Sequence, residues 1–312
     1  MQNLKIWFTD FWGFEQFVFN PKDNYFYDLM SQEFNVVLDP NPDILFFSCF
    51  GNDNLNFKNC KKVYFCGENQ GNNFKHPESV ICDMSFSHFG QHIDDKPSKH
   101  IYFPLWVLFV DWYNKTQPRP LPSNPTHHID PYFLSRKQDV YKKTKFCAFI
   151  NNNPIQDRLD IFHILSQYKK VDSYGKLHNN MGFNLRGSEE DKINLLKDYK
   201  FTIAFENSFH DGYNTEKIIQ PLSVGCIPLY KGGEKWKKYF NSNLVFNFND
   251  RNNWENLVKW VIQLDNNEEE FSNLWLNNRA CKYTCLEGTN DYYPHYFEFL
   301  PMYIRREIKR IL

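Results

Sequence analysis

The run from Phe201 to Tyr230 limits the fold more than any other stretch. Phe201-Thr202-Ile203-Ala204-Phe205 is short, apolar and β-prone, and a polar loop follows it. Thr215 is a good helix N-cap, Ile218, Ile219 and Leu222 have helical apolar spacing, and Gly225 can close the helix as its C′ residue. Ile227 to Tyr230 then reads as a second strand. A strand-helix-strand unit of this kind sets its loop at the carboxyl end of a parallel strand, where unpaired N–H groups of the next helix attract anions. Glu216 and Lys217 fall in the first helical turn. A lysine there can meet a phosphate and a carboxylate can accept hydroxyl hydrogen bonds, which outlines a donor-nucleotide site. On these residues alone, a capped surface helix remains the other reading.

The same periodicity recurs through the chain. Leu4 to Phe8 reads as a strand, Pro21 to Glu33 as a helix, Val36 to Leu38 as a second strand, and Ile44 to Cys49 as a third. The unbroken apolar run of that third segment suits a strand covered on both faces. Lys62 to Cys66 and Ser79 to Phe86 are two further expected strands. Phe146 to Ile150 opens a second set, followed by a helix from Arg158 to Lys169, a helix from Asp191 to Tyr199, the central unit, Trp236 to Phe240, Leu244 to Phe248, and a helix from Trp254 to Leu264. At roughly 150 residues per domain, 312 residues imply two domains. The prolines at 118, 120, 122 and 125 mark the intervening loop. The expected division is residues 1–143, residues 144–290 and a tail at 291–312.

Two further charged residues sit where chemistry can use them. Glu68 follows a strand in Gly67-Glu68-Asn69 and reads either as an exposed loop glutamate or as a general base for a hydroxyl. Arg158 opens a helix after the Asn151-Asn152-Asn153-Pro154 turn and reads either as a surface arginine or as a fork aimed at a diphosphate.

Phe205-Glu206-Asn207, Tyr213-Asn214-Thr215-Glu216-Lys217-Ile218 and Gly225-Cys226-Ile227-Pro228, at these intervals, resemble the signature of the α1,3/α1,4-fucosyltransferases. The likeness is dense over residues 145 to 235 and sparse before that, where Gly67-Glu68-Asn69 is similar to the acceptor-domain pattern. It implies a family-10-type, GT-B α/β architecture: two Rossmann-like domains facing across a cleft, one for acceptor and one for donor. It also implies inverting transfer of L-fucose from GDP-fucose to an N-acetylglucosamine-containing glycan. Glu68 is then the base, Glu216 a catalytic and donor-contacting carboxylate, Arg158 and Lys217 the diphosphate cations, and Asn207 and Tyr213 lining of the donor site. Trp112 and Tyr113 are candidates for stacking on acceptor sugar. No Asp-x-Asp triad occurs, so protein groups are expected to meet the diphosphate charge with no essential metal or cofactor. Three departures from the pattern stand out: Tyr174 where a second glycine is common, Asn214 where a small apolar residue is usual, and Pro221 inside the helix. A related enzyme using another nucleotide sugar, or a binding protein without turnover, remains the alternative.

Composition excludes other classes. A net charge of −1 offers no basic field for nucleic acid, while 42% hydrophobic and 23% charged residues are those of a globular protein. The start carries no secretory pattern and no apolar run reaches 18 residues, so the chain is expected to be cytoplasmic. The tail, Tyr303 to Leu312, is a basic amphipathic segment, expected to pack back on the first domain or to touch an anionic membrane surface. His127-His128 is too short a cluster for a metal site. Cys281 and Cys285 form the only close cysteine pair and are expected to be reduced in a chain without a signal.

Overall fold

The computed structural model describes residues 1–12, 19–69, 74–91, 99–112, 129, 143–176, 178–183, 185, 189–281 and 295–312, with residues 295–300 given as backbone only. The chain divides into two units, Met1–His127 with Tyr296–Leu312, and His128–His295. That division falls before the residue 143 expected from sequence. It also assigns the last helix to the first unit.

The first unit is built on a six-stranded, wholly parallel sheet in the order β2-β1-β3-β4-β5-β6. Its strands are β1 (Asn3–Thr9), β2 (Asn35–Leu38), β3 (Ile44–Phe47), β4 (Lys61–Cys66), β5 (Met84–Ser87) and β6 (His100–Tyr102). Every residue of β3 is buried, as its continuous apolar run requires when both faces are covered. Aromatic rings fill one side: Phe46 stacks on Phe8 at 5.3 Å and on Phe26 at 5.0 Å, and Phe65 meets Phe103 edge-on at 5.4 Å. Helix α1 is shorter than the pattern predicts, Tyr25–Ser31, because the Asn24 side chain accepts from Phe26 N at 2.9 Å and fixes the first turn there. The expected strand from Ser79 is likewise shorter. Pro77–Ser79 is a 3₁₀ turn, and Asp83 Oδ2 accepts from Lys62 N at 2.8 Å before β5 begins.

The second unit holds a five-stranded parallel sheet in the order β11-β10-β9-β7-β8. The strands are β7 (Lys145–Phe149), β8 (Val171–Ser173), β9 (Tyr199–Phe205), β10 (Ile227–Lys231) and β11 (Phe246–Asn247). Helices α2 (Gln156–Tyr168), α3 (Glu189–Leu196), α4 (Glu216–Ser223), α5 (Trp254–Asn266) and α6 (Glu268–Asn277) connect or cover them. Tyr199, expected to end a helix, starts β9 instead. Trp236 lies in a 3₁₀ turn, Glu234–Lys238, rather than in a strand. All seven residues of β9 are buried. That includes Lys200, which donates to Asp265 O at 2.7 Å and pins the α5–α6 corner to the sheet. Chain order runs from β7 out to β8 and then returns to β9 on the opposite side of β7. The β7–β9 seam is therefore a topological switch point, the place where such sheets open a crevice at their carboxyl edge.

The last helix, α7 (His295–Lys309), buries Ile304 and Ile308, and its Arg305 Nε lies 3.2 Å from Glu33 Oε2, which also pairs with Lys309. Among the described residues no helix is long and apolar enough to cross a membrane. Cys281 is a buried free thiol; Cys285 lies outside the described residues, as do His127 and His128.

Candidate active site

A pocket of about 410 Å³ opens in the second unit at the β7–β9 seam. Its lining joins the Asn151-Asn152-Asn153 turn after β7, Thr202 and Ala204 of β9, Asn207 just past β9, and the start of α4. Four of the expected donor residues, Arg158, Asn207, Glu216 and Lys217, are brought together here. Tyr213 does not line the pocket and is 8% exposed, but it lies near enough to Arg158 and Lys217 to act on both charges. Two lysines that the sequence reading left out, Lys176 and Lys192, also line the pocket, as does Glu189. Four cationic side chains thus face two carboxylates, an excess of positive charge that suits a diphosphate.

Thr215 caps α4 as the sequence predicts. Its hydroxyl accepts from Lys217 N at 3.5 Å, and Gly225, at φ +71, takes the left-handed conformation that ends the helix. The helix runs through Pro221 to Ser223. Behind the cap lies Glu206, 5% exposed and quoted in the sequence signature without a role. Its carboxylate accepts from Thr215 N and Thr215 Oγ1, both at 2.8 Å, and from Tyr230 OH at 3.0 Å. Lys217 Nζ is 3.4 Å from Glu206 Oε2 and 2.8 Å from Glu216 Oε1. Burial pushes the Glu206 carboxyl above its ordinary value, against the Lys217 charge. At Glu216 burial also pulls upward, but Lys217 and Lys192 together outweigh it and hold this carboxyl well below its usual range. For the Lys217 ammonium, burial works against the charge, and Glu216 and Glu206 overcome it to raise its proton affinity. The three groups form a carboxylate–ammonium–carboxylate chain at the mouth of α4.

Arg158 is the third residue of α2 and only 1% exposed. Its guanidinium donates from Nε to Phe205 O at 3.1 Å and from Nη2 to the same carbonyl, while Nη2 also donates to Asn207 Oδ1 at 2.8 Å. Arg158 is therefore not a surface arginine, one of its two readings; whatever its role toward a diphosphate, it is a tie across the β7–β9 seam. Burial disfavours its charge, while Glu206 and Glu216 support it. The departures from the family pattern have structural reasons. Tyr174 is 2% exposed and its hydroxyl shares a 2.6 Å hydrogen bond with Tyr199 OH. Asn214, fully buried, donates to Tyr230 OH at 2.9 Å and to Gly233 O at 2.8 Å. Gly175 packs so tightly that a Cβ there would lie 1.9 Å from Asn151 O, on the pocket's own turn.

In the first unit, Glu68 stands just past β4 and is half-buried. Burial raises its carboxyl above the ordinary glutamate value, which suits a group that must take a proton near neutrality. Trp112 is also half-buried, with its indole N–H donated to Val107 O at 2.9 Å; Tyr113 lies outside the described residues.

Two wholly parallel α/β sheets, one carrying a cation-rich pocket at its switch point, define a protein of the GT-B class. A crystal structure of an α1,3-fucosyltransferase with GDP-fucose superposes with a TM-score of 0.66 at 22% identity, covering 99% of this chain and 91% of that one. Residues 140–297 match the glycosyltransferase family 10 (fucosyltransferase) C-terminal domain, and residues 6–109 match the alpha-(1,3)-fucosyltransferase FucT N-terminal domain. The chain belongs to glycosyltransferase family 10, the fucosyltransferases. It is 25% identical over 301 residues to the alpha-(1,3)-fucosyltransferase FucT of Helicobacter pylori, covering 88% of this chain and 60% of that protein. It is 36% identical over 185 residues to the GDP-fucose protein O-fucosyltransferase 3 of Danio rerio, covering 56% of this chain and 38% of that protein. The chain thus spans less than two thirds of the length of either relative.

Proposed function

We propose that this protein transfers L-fucose from GDP-fucose to a hydroxyl of an N-acetylglucosamine-containing glycan, by a single inverting α1,3-type displacement. One observation carries the reading: in a member of the fucosyltransferase family, Arg158, Lys176, Lys192 and Lys217 converge on one pocket at the β7–β9 switch point. Glu68 takes the proton from the acceptor hydroxyl. The acceptor oxygen forms its bond to the anomeric carbon of fucose as the bond from that carbon to the β-phosphate oxygen breaks, and GDP leaves with the electron pair. Arg158 and Lys217 meet the charge that develops on the diphosphate, aided by the positive end of α4, so the reaction needs no metal ion. Glu216, held ionised by its lysine neighbours, accepts hydrogen bonds from donor hydroxyls and favours the oxocarbenium-like transition state. Asn207, fixed by Arg158, borders the same space.

A second acceptor class is favoured by a specific observation, the 36% identity to a protein O-fucosyltransferase. There the hydroxyl belongs to a serine or threonine of a polypeptide, while donor chemistry and base are unchanged. The test is release of GDP from GDP-fucose with an N-acetyllactosamine acceptor or a Ser/Thr peptide panel, with and without EDTA and beside Glu68→Ala. Acceptor-dependent release that survives EDTA and vanishes in the variant is expected. Absence of GDP binding by calorimetry removes the reading altogether.

A further inference from the structure

Lys217 is fully occupied before any ligand arrives. Its ammonium lies 2.8 Å from Glu216 Oε1, 3.2 Å from Thr215 Oγ1 and 3.4 Å from Glu206 Oε2, three contacts for three N–H bonds. A diphosphate that turns this lysine toward itself competes with two carboxylates for its N–H bonds. Glu216 would then be a largely buried carboxylate beside Glu206, with its nearest cation turned elsewhere, and an uncompensated buried charge is costly.

Helix α3 supplies what the site would then lack. Lys192 Nζ is 3.8 Å from the same Glu216 Oε1 and 3.7 Å from Glu189 Oε2, with its side chain 20% exposed. Its seat is fixed from the other side, because Glu189 accepts from the Gln220 amide of α4. Gln220, Glu189, Lys192, Glu216, Lys217 and Glu206 thus form one continuous polar chain linking α3 to α4, with four of the six, Glu189, Lys192, Glu216 and Lys217, along the pocket wall.

We propose that Lys192 is a positioning residue for Glu216: it keeps that carboxylate paired and aimed at the donor sugar while Lys217 serves the diphosphate. This rests on the GDP-fucose reading of the pocket. The division of labour has a distinctive signature, because Lys192 then matters for the sugar and little for the nucleotide. GDP lacks the fucose and GDP-fucose carries it, so the pair of ligands separates the two roles.

The experiment is calorimetric binding of GDP and of GDP-fucose, without acceptor, to the wild-type chain, Lys192→Met and Lys192→Arg, each checked by thermal unfolding. In Lys192→Met the affinity for GDP-fucose is expected to fall about tenfold more than that for GDP, as the loss of a charge-assisted contact implies. Lys192→Arg, which keeps the charge, should restore the preference. Equal weakening of both ligands in Lys192→Met would make Lys192 a plain phosphate contact and overturn the proposal, as would an unchanged preference in a folded variant. If the wild-type chain binds neither ligand, the donor reading itself falls, a result distinct from either. If Lys192→Met is unfolded, Lys192→Arg and Lys192→Gln carry the comparison, and a Gln variant with the wild-type preference likewise overturns it.

Discussion

Replacing Glu206 with alanine tests whether the pocket is held from behind by a buried charge. The side chain is 1% exposed and receives two hydrogen bonds of 2.8 Å from Thr215, one of 3.0 Å from Tyr230, and an ion pair at 3.4 Å from Lys217. Removing one partner of a buried charge pair costs about 3–5 kcal/mol. Lys217 keeps Glu216 as a counter-ion and the Thr215 hydroxyl can rotate, so the lower end of that range, about 3 kcal/mol, is expected here. For a unit of this size that corresponds to a fall of about 6–12 °C in the unfolding transition of the second unit. Glu206→Gln retains an acceptor for Thr215 N and should cost about half as much. In a double-mutant cycle, Glu206→Ala and Lys217→Met together should cost about 1 kcal/mol less than the sum of the two single losses, since both remove the same 3.4 Å ion pair. Scanning calorimetry and denaturant titration of the four chains supply the numbers. A loss under about 1 kcal/mol for Glu206→Ala would refute the brace, because no buried, triply hydrogen-bonded carboxylate can be removed so cheaply.

Other expectations follow from the same geometry. Glu68→Gln should abolish transfer while leaving GDP affinity within about twofold, since the residue is assigned only to proton removal; retained turnover would unseat the base. Because burial raises the Glu68 carboxyl and the base must be ionised, wild-type activity should rise with pH through a value above that of an ordinary glutamate. An acid limb at the usual glutamate position would contradict this. Lys217→Ala should weaken GDP about tenfold or more by calorimetry, as expected for a charge-assisted phosphate contact. Gly175→Ala forces a methyl group against the Asn151 carbonyl at 1.9 Å. It should cost about 1–3 kcal/mol of stability and, by displacing the Asn151–Asn153 turn, lower GDP affinity as well.

The central β9–α4–β10 unit was legible because its signals are local. An apolar run, a threonine cap and a glycine that alone accepts φ +71 cheaply all act within a few residues of themselves. Glu216, Lys217 and Arg158 could be placed near the pocket for the same reason. The burial of Arg158 could not be foreseen, because its carbonyl partner is Phe205, 47 residues along the chain. Glu206 and Lys192 were missed on similar grounds: the first is buried by strand β10 and the second is aimed by the packing of α3 on α4. Neither has any local spacing that announces it. Tyr213 is buried beside Arg158 and Lys217 without lining the pocket, a distinction that a loop position does not reveal. Strand β6 is three residues long and exists through its pairing with Ser85–Ser87, so no run of its own could mark it.

The division of the first unit between Met1–His127 and Tyr296–Leu312 imposes an order on the chain's birth. A ribosome delivers residues from the amino end, and domains generally fold as units as they emerge. The six-stranded sheet is therefore synthesised whole, yet Glu33 must wait for Arg305 and Lys309 until the entire second unit has been made. During that interval the surface later covered by Ile304 and Ile308 is open to water and to chaperones. The second unit, continuous in sequence, has no such wait. All segments of the second unit thus leave the ribosome before the last segment of the first.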